Sequence, residues 1–411
     1  MRLILPLFLI VILISCQEKA ETKVVSLEED VTFLASDSLQ GRATGTQGER
    51  IAADYVAERF EAMGLQGKGE AGYFQDFVFK PSTNPHQEAT FVEGASDSTQ
   101  TGRNVIAYID NQAAKTVIIG AHFDHLGMGG QGSLYRGEVP AIHNGADDNA
   151  SGVAVMLQLA GRLKKLENAQ SNFLFIGFSG EELGLLGSNY FAKNPTIDLQ
   201  KVNLMINMDM VGRLNAENTL AVHGVGTSPG FKQLLFANND QEFNIAEHES
   251  GIGPSDHTSF YLADVPVLHF FTGQHEDYHK PSDDSEKLNY EGMRKIENYI
   301  FNIVTDLDDD AKLAFRKTKN ESEETPRFKV GLGVVPDYLF TGEGMRIDGI
   351  SEDKPAQKAG LQKGDIVKKL GDQPITDMMS YMKALATYSE GDSTLVTIER
   401  EGASMEVEVQ F

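Results

Sequence analysis

The sequence predicts an α/β protein built on a mixed, mostly parallel sheet with helices on both faces, followed by a smaller β-rich domain. Three observations carry that expectation. Apolar runs of strand length, unbroken at Phe173–Phe178 and interrupted only by Asn203 and Asn207 at Val202–Met208, suit strands buried on both faces. Segments with helical spacing separate these runs, so strand and helix alternate along the chain. Past residue 325 the texture changes to short β-rich pieces and glycine turns, which marks a second domain.

The elements follow in order. Gly48–Met63 has helical spacing, with Ile51, Tyr55, Val56, Ala57 and Phe60 on one side. Short β-rich runs come at Asn104–Ile109 and Thr116–Gly120. Ser151–Lys164 predicts a helix that buries Val153, Met156, Leu157, Ala160 and Leu163. Then come the strand Phe173–Phe178, a helix near Leu183–Phe191 and the strand Val202–Met208. A strand at Val265–Phe271 and a long helix at Tyr290–Leu307 close the first domain, residues 26–307. The polar stretch 308–325, with Asp308-Asp309-Asp310 in it, reads as a linker to the second domain, 326–411. In sheets of this kind functional groups gather beyond the carboxyl ends of the strands.

Composition bounds the function. The 411 residues suit two domains, and 41% hydrophobic content supplies a core. A formal net charge of -24 argues against a nucleic-acid partner, since phosphate binding needs a basic face. At the N-terminus Arg2 precedes an apolar run from Leu3 to Ile14, too short to span a bilayer and suited to a signal-peptide core. That run ends in Leu13-Ile14-Ser15-Cys16, which resembles a bacterial lipobox. The resemblance implies that residues 1–15 are removed, Cys16 carries a lipid and residues 16–25 form a tether. It also implies an exported bacterial lipoprotein, membrane-anchored and facing the periplasm or the cell surface. Cys16 is the only cysteine, so the folded part has neither thiol nor disulfide.

Five segments put a potential metal ligand just after, or in a loop beside, an expected strand. His122 leaves a strand end in Gly120-Ala121-His122-Phe123-Asp124-His125, and Asp124 can orient its imidazole. The loop Asn144–Gly152 contains Asp147-Asp148, and a carboxylate there can bridge two cations. Glu181-Glu182 follows the strand Phe173–Phe178, and Asp209 sits in apolar surroundings in Asn207-Met208-Asp209-Met210. His279 lies in the loop Tyr278–Asp284. Singly, each has a plain structural reading: a surface histidine, a capped turn, or acidic charge in a helix's first turn. Only Asp209 resists it, because a buried carboxylate needs a partner. Their joint occurrence points to a metal centre.

Together these segments resemble the co-catalytic zinc aminopeptidase family, which includes the bacterial leucyl aminopeptidases and the glutamate carboxypeptidase relatives. The upstream segments Leu34–Arg42 and Gly45–Arg50 resemble the same family, so the likeness covers nearly all of residues 30–305. It implies two zinc ions bridged by Asp147, with His122 and Asp209 completing one and Glu182 and His279 the other. Asp148 would open the cis peptide common after the bridging residue. It further implies Glu181 as general base and Asp124 as hydrogen-bond partner of His122, with Ser255 supporting Asp209. Tyr278 is an expected stabiliser of the oxyanion. His125, His143, His257, His269 and His275 match no ligand position and are expected in packing, beside the ligands or at the pocket rim.

Residues 326–411 resemble a PDZ domain of the bacterial protease-associated type. Gly331-Leu332-Gly333-Val334 looks like its carboxylate-binding loop, and Lys354–Val367 like the helix and strand that follow. Such a domain takes a peptide or protein C-terminus by strand addition. The expected activity is metal-dependent removal of N-terminal residues from peptides with a free N-terminus. The alternatives are a glutaminyl-cyclase-like acyltransferase or a carboxypeptidase on the same fold, or a non-catalytic surface peptide-binding protein.

Overall fold

The computed structural model describes residues 25–82, 89–92, 94–130, 132–308, 311–318, 330–337, 339–340, 342–351 and 354–411. The signal peptide, Cys16 and most of the tether fall outside the described residues, as do 309–310 and 319–325 of the expected linker and 326–329 of the expected second domain.

The first domain is organised by a ten-stranded sheet. Its strands are β1 (Gln66–Gly67), β2 (Phe74–Lys80), β3 (Thr90–Phe91), β4 (Gln100–Ile109), β5 (Lys115–His122), β6 (Ser171–Phe178), β7 (Val202–Met208), β8 (Thr219–His223), β9 (Asn244–His248) and β10 (Val267–Phe271). They lie in the order β3-β2-β4-β6-β5-β7-β10-β8-β9, with β1 beside β4. The centre β6-β5-β7-β10 is parallel, and antiparallel pairs flank it.

Period-two packing explains why the central strands read as continuously apolar. On β5, Val117, Ile119 and Ala121 enter one core while Ile118 enters the other; on β6, Phe173 and Phe175 oppose Leu174, Ile176 and Phe178. Helices α1 (Leu27–Leu34), α2 (Gln47–Ala62), α3 (Gly152–Leu163) and α7 (Tyr290–Asp306) cover the larger core, while α4 (Leu186–Lys193) and α6 (His257–Tyr261) cover the other. A short α5 (Phe231–Ala237) joins β8 to β9. Local chemistry fixes the helix starts: Ser26 and Glu29 form a capping box on α1, and the Thr46 hydroxyl accepts from the Glu49 amide on α2.

Two boundaries differ from the sequence expectation, and both matter to the site. Helix α4 begins at Leu186 rather than Leu183, because Gly180, Gly184 and Leu185 take left-handed backbone and make a turn. Glu181 and Glu182 therefore sit in that turn, not in a helix's first turn. Likewise α3 begins at Gly152, after a bent turn over Ala146–Ser151.

The second domain carries β11 (Val334–Pro336), β12 (Met345–Ile350), β13 (Ile366–Leu370), β14 (Gln373–Pro374), β15 (Ser393–Arg400) and β16 (Ala403–Gln410), in the order β11-β12-β13-β15-β16. Helices α8 (Pro355–Lys358) and α9 (Met378–Leu385) close a separate small core around Leu332, Val367 and Val396. Of the expected loop, Leu332 is buried in that core, and Val334 opens the edge strand β11. Among the described residues no helix is long and apolar enough to cross a membrane.

Candidate metal centre

Three neighbouring parallel strands aim at one place. His122 ends β5, Glu181 and Glu182 follow β6, and Asp209 follows β7, so all project beyond the carboxyl edge of the sheet. Asp148 enters from the bent turn before α3, and His279 from a loop where its φ is +54°.

The distances define two trios that share one carboxylate. His122 Nε2 is 3.3 Å from Asp148 Oδ1 and 3.3 Å from Asp209 Oδ1. His279 Nε2 is 3.1 Å from Asp148 Oδ2 and 3.3 Å from Glu182 Oε2. Two donors bound tetrahedrally at zinc–ligand distances of about 2.0–2.1 Å sit roughly 3.3 Å apart, so this spacing fits zinc. Each oxygen of Asp148 faces a different trio, as a bridging ligand requires.

The electrostatics demand cations as well. Asp148, Glu181, Glu182 and Asp209 crowd one cavity. Burial alone would lower His279, yet Glu182 and Asp148 push it up to about 11. His122 behaves likewise: burial opposes the charge, but Asp209 and Glu181 carry it well above the usual imidazole range. Protons on the two imidazoles stand in for positive charge that metal ions would bring, since a ligating imidazole must be neutral.

One assignment from the sequence is corrected here. Asp147 does not face the trios; its Oδ1 accepts from the Gly212 amide at 2.6 Å, and its Oδ2 lies 3.2 Å from His275. Asp148 faces both trios instead, and the cis peptide expected at Asp148 joins it to Asn149. The cause is the turn itself. Asp283 accepts from the amides of Asp147 at 3.0 Å and Asp148 at 3.1 Å, and so fixes which of the two carboxylates points outward.

The other expected residues converge. Glu181 lines the cavity, and its amide donates to Asp124 Oδ1 at 3.2 Å. Asp124 meets His122 chiefly through its main chain: His122 Nδ1 is 3.2 Å from the Asp124 carbonyl and 3.6 Å from its carboxylate, which also accepts from Thr44. Tyr278 lines the cavity and stacks on His279 with ring centroids 3.8 Å apart; burial and the nearby carboxylates hold its phenol well above the usual range. Ser255 accepts from Asn207 at 2.8 Å rather than touching Asp209.

Sequence reasoning missed two supports. His125, expected only beside the ligands, bonds Glu182 Oε1 at 2.7 Å and orients it. Arg42 is fully buried beneath the centre and donates to the carbonyls of Leu34, Phe123 (2.7 Å), Asn144 (2.6 Å) and Gly145 (3.0 Å). Burial lowers its guanidinium to about 10, offset in part by Asp124 and Asp148. One side chain thus ties the His122 strand end to the loop that presents Asp148. Its presence in the Leu34–Arg42 segment was the available signal.

A mixed α/β sheet with these trios at its carboxyl edge is the zinc-exopeptidase fold. Residues 104–304 match the model of Peptidase family M28 and residues 314–411 that of the PDZ domain, so the chain carries a peptidase family M28 domain followed by a PDZ domain. A probable leucine aminopeptidase of Trichophyton verrucosum (strain HKI 0517) is 32% identical over 202 residues, 44% of this chain and 49% of that protein. The chain spans about half the length of the curated relatives it matches. Among solved structures, BSAP, a zinc aminopeptidase from Bacillus subtilis, matches with a TM-score of 0.54 at 16% identity, covering 72% of this chain and 96% of that one. The glutaminyl cyclase of Porphyromonas gingivalis matches with a TM-score of 0.54 at 20% identity, covering 68% and 97%. These structural likenesses show the fold.

Proposed function

We propose that this protein is a zinc-dependent aminopeptidase that holds two zinc ions and removes N-terminal residues from peptides. The observation that carries the reading is the sharing of Asp148 between two ligand trios at zinc-like spacing. His122, Asp148 and Asp209 would hold one ion, and Asp148, Glu182 and His279 the other. Bound there, the ions supply Lewis acidity and a lowered pKa for water.

The chain's own groups do the rest. Glu181 stands beside the trios without belonging to either. Burial and the charges of Asp209, Glu182 and Asp256 raise its carboxyl well above the ordinary range, although His122 opposes this. A carboxylate of high proton affinity suits a general base that takes a proton from water and returns it to the leaving amine. Tyr278 stays protonated and offers an O–H to the developing oxyanion.

The test pairs metal content with turnover. Glu181→Ala is expected to lower kcat by at least about a thousandfold while the protein retains its zinc. Equal loss of zinc and activity would contradict the base assignment. Peptides with a free amine are expected to be cleaved, N-acetylated ones not, and a chelator should abolish turnover.

The N-terminal sequence supports a further part of the proposal: export and anchoring through a lipid on Cys16, which would hold the enzyme at a membrane. Fatty-acid labelling of the whole chain, lost in Cys16→Ala, is the expected result; equal labelling of both would refute it. The open edge of β11 supports binding of a peptide or protein C-terminus by the PDZ domain.

A further inference from the structure

A row of polar side chains crosses the sheet next to the metal centre, and the ligand trios do not use it. Asn207 on β7, His269 on β10, His223 on β8 and His248 on β9 are successive register partners on adjacent strands. Asn207 precedes Asp209 by two residues, so the row lies one pleat repeat below that carboxylate. Contacts run its whole length. Asn207 Nδ2 is 3.2 Å from His269 Nδ1, the rings of His269 and His223 lie 5.2 Å apart, and His223 stacks on His248 at 4.2 Å. From α6, His257 stacks on His269 at 4.5 Å with planes 3° apart.

Such a row is costly inside a sheet and does not serve the fold, which elsewhere fills these strands with Leu, Val and Phe. Nor is it a chelate. Stacked imidazoles turn ring faces to one another, and among the described residues the His and carboxylate groups whose donor atoms converge are those around Asp148.

The row does border the cavity. His223 and His269 line it together with Met210, Pro254, Phe271 and Gln274, in the same cavity as Glu181 and the ligands. The space is about 250 Å³. Burial, and the neighbouring histidines, hold His223, His257 and His269 well below the usual imidazole range, so the rings are neutral. A neutral imidazole has one N–H and one lone pair, and the Gln274 carboxamide likewise donates and accepts.

Resting on the aminopeptidase reading, we infer that this wall selects the side chain of the substrate's N-terminal residue, favouring an uncharged one that both donates and accepts hydrogen bonds, foremost a carboxamide. An aliphatic side chain would dry the imidazole nitrogens without replacing their partners, and a charged one would shed its water against neutral rings. A site built to hydrogen-bond its substrate discriminates against the analogue that lacks the group.

The experiment measures kcat/KM of the zinc-loaded full chain on Xaa-Ala-Ala tripeptides with Gln, Asn, Leu, Glu or Lys first. Gln or Asn is expected to lead Leu by on the order of tenfold or more. In His223→Leu that ratio should fall at least about fivefold with zinc content kept, and His223→Gln should restore it. Leu, Glu or Lys in front overturns the inference and leaves the aminopeptidase reading standing. An unmoved ratio in folded, zinc-loaded His223→Leu also overturns it. Should His223→Leu not fold, the wild-type ranking alone decides. No turnover on any of the five sinks both readings.

Discussion

At the scale of single residues the centre depends on which of two adjacent aspartates points outward. Asp148 Oδ1 and Oδ2 each face a different histidine, whereas Asp147 is engaged by the Gly212 amide. Asp148→Asn removes the shared charge, so bound zinc should fall below one ion per chain and kcat/KM by at least about a thousandfold. Asp147→Asn should keep the zinc and cost about 1 kcal/mol of stability, because an amide oxygen still accepts from Gly212. Metal analysis and thermal unfolding on the pair check both, and the reverse pattern would restore Asp147 as the bridge. The sequence made the loop legible as a ligand donor but not its register. Spacing cannot separate neighbours when the deciding contact, the Asp283 carboxylate on both amides, comes from 135 and 136 residues away.

At the scale of elements, legibility followed the source of the signal. The buried central strands β6 and β7 appear in the sequence as apolar runs because both faces enter a core, and α3 and α7 show the matching helical period. By contrast β8, α5 and β9 carry no readable period, since each is short and gains its stability from neighbours distant in the chain. The histidine row was hidden for the same reason: His223, His248 and His269 become neighbours only after β10 inserts between β7 and β8. Arg42 shows how elements are joined at the site. It gathers carbonyls from the end of α1, the loop after β5 and the turn before α3. Arg42→Gln leaves several of these buried without a donor, at roughly 1–3 kcal/mol for each group left unpaired. A loss of about 4 kcal/mol in unfolding free energy is expected, together with weaker zinc retention against a chelator. A loss below about 1 kcal/mol would mean that water replaces the guanidinium.

At the scale of the whole molecule, the stretch between the two domains is more than a spacer. Its described part, residues 311–318, runs along the peptidase domain and is pinned at several points. The Leu313 amide donates to Asn203 at 2.6 Å, and the Arg316 amide to the Thr227 carbonyl at 2.8 Å. Phe315 packs on Tyr261 with ring centroids 5.5 Å apart, and the Thr318 amide reaches the Tyr261 hydroxyl at 2.9 Å. Tyr261 belongs to the core beneath α4 and α6, and α6 carries His257 of the polar row. Residues 313–318 are therefore held against the peptidase domain by specific contacts. A chain ended at residue 320 is accordingly expected to keep its unfolding temperature and its turnover of short peptides. Ending it at residue 309 strips Phe315 from Tyr261 and frees the Asn203 and Thr227 acceptors, a loss of about 3 kcal/mol from one aromatic contact and several hydrogen bonds. Thermal unfolding of the two shortened chains beside the full one decides the matter: if both unfold at the same temperature, residues 311–318 are a passive linker.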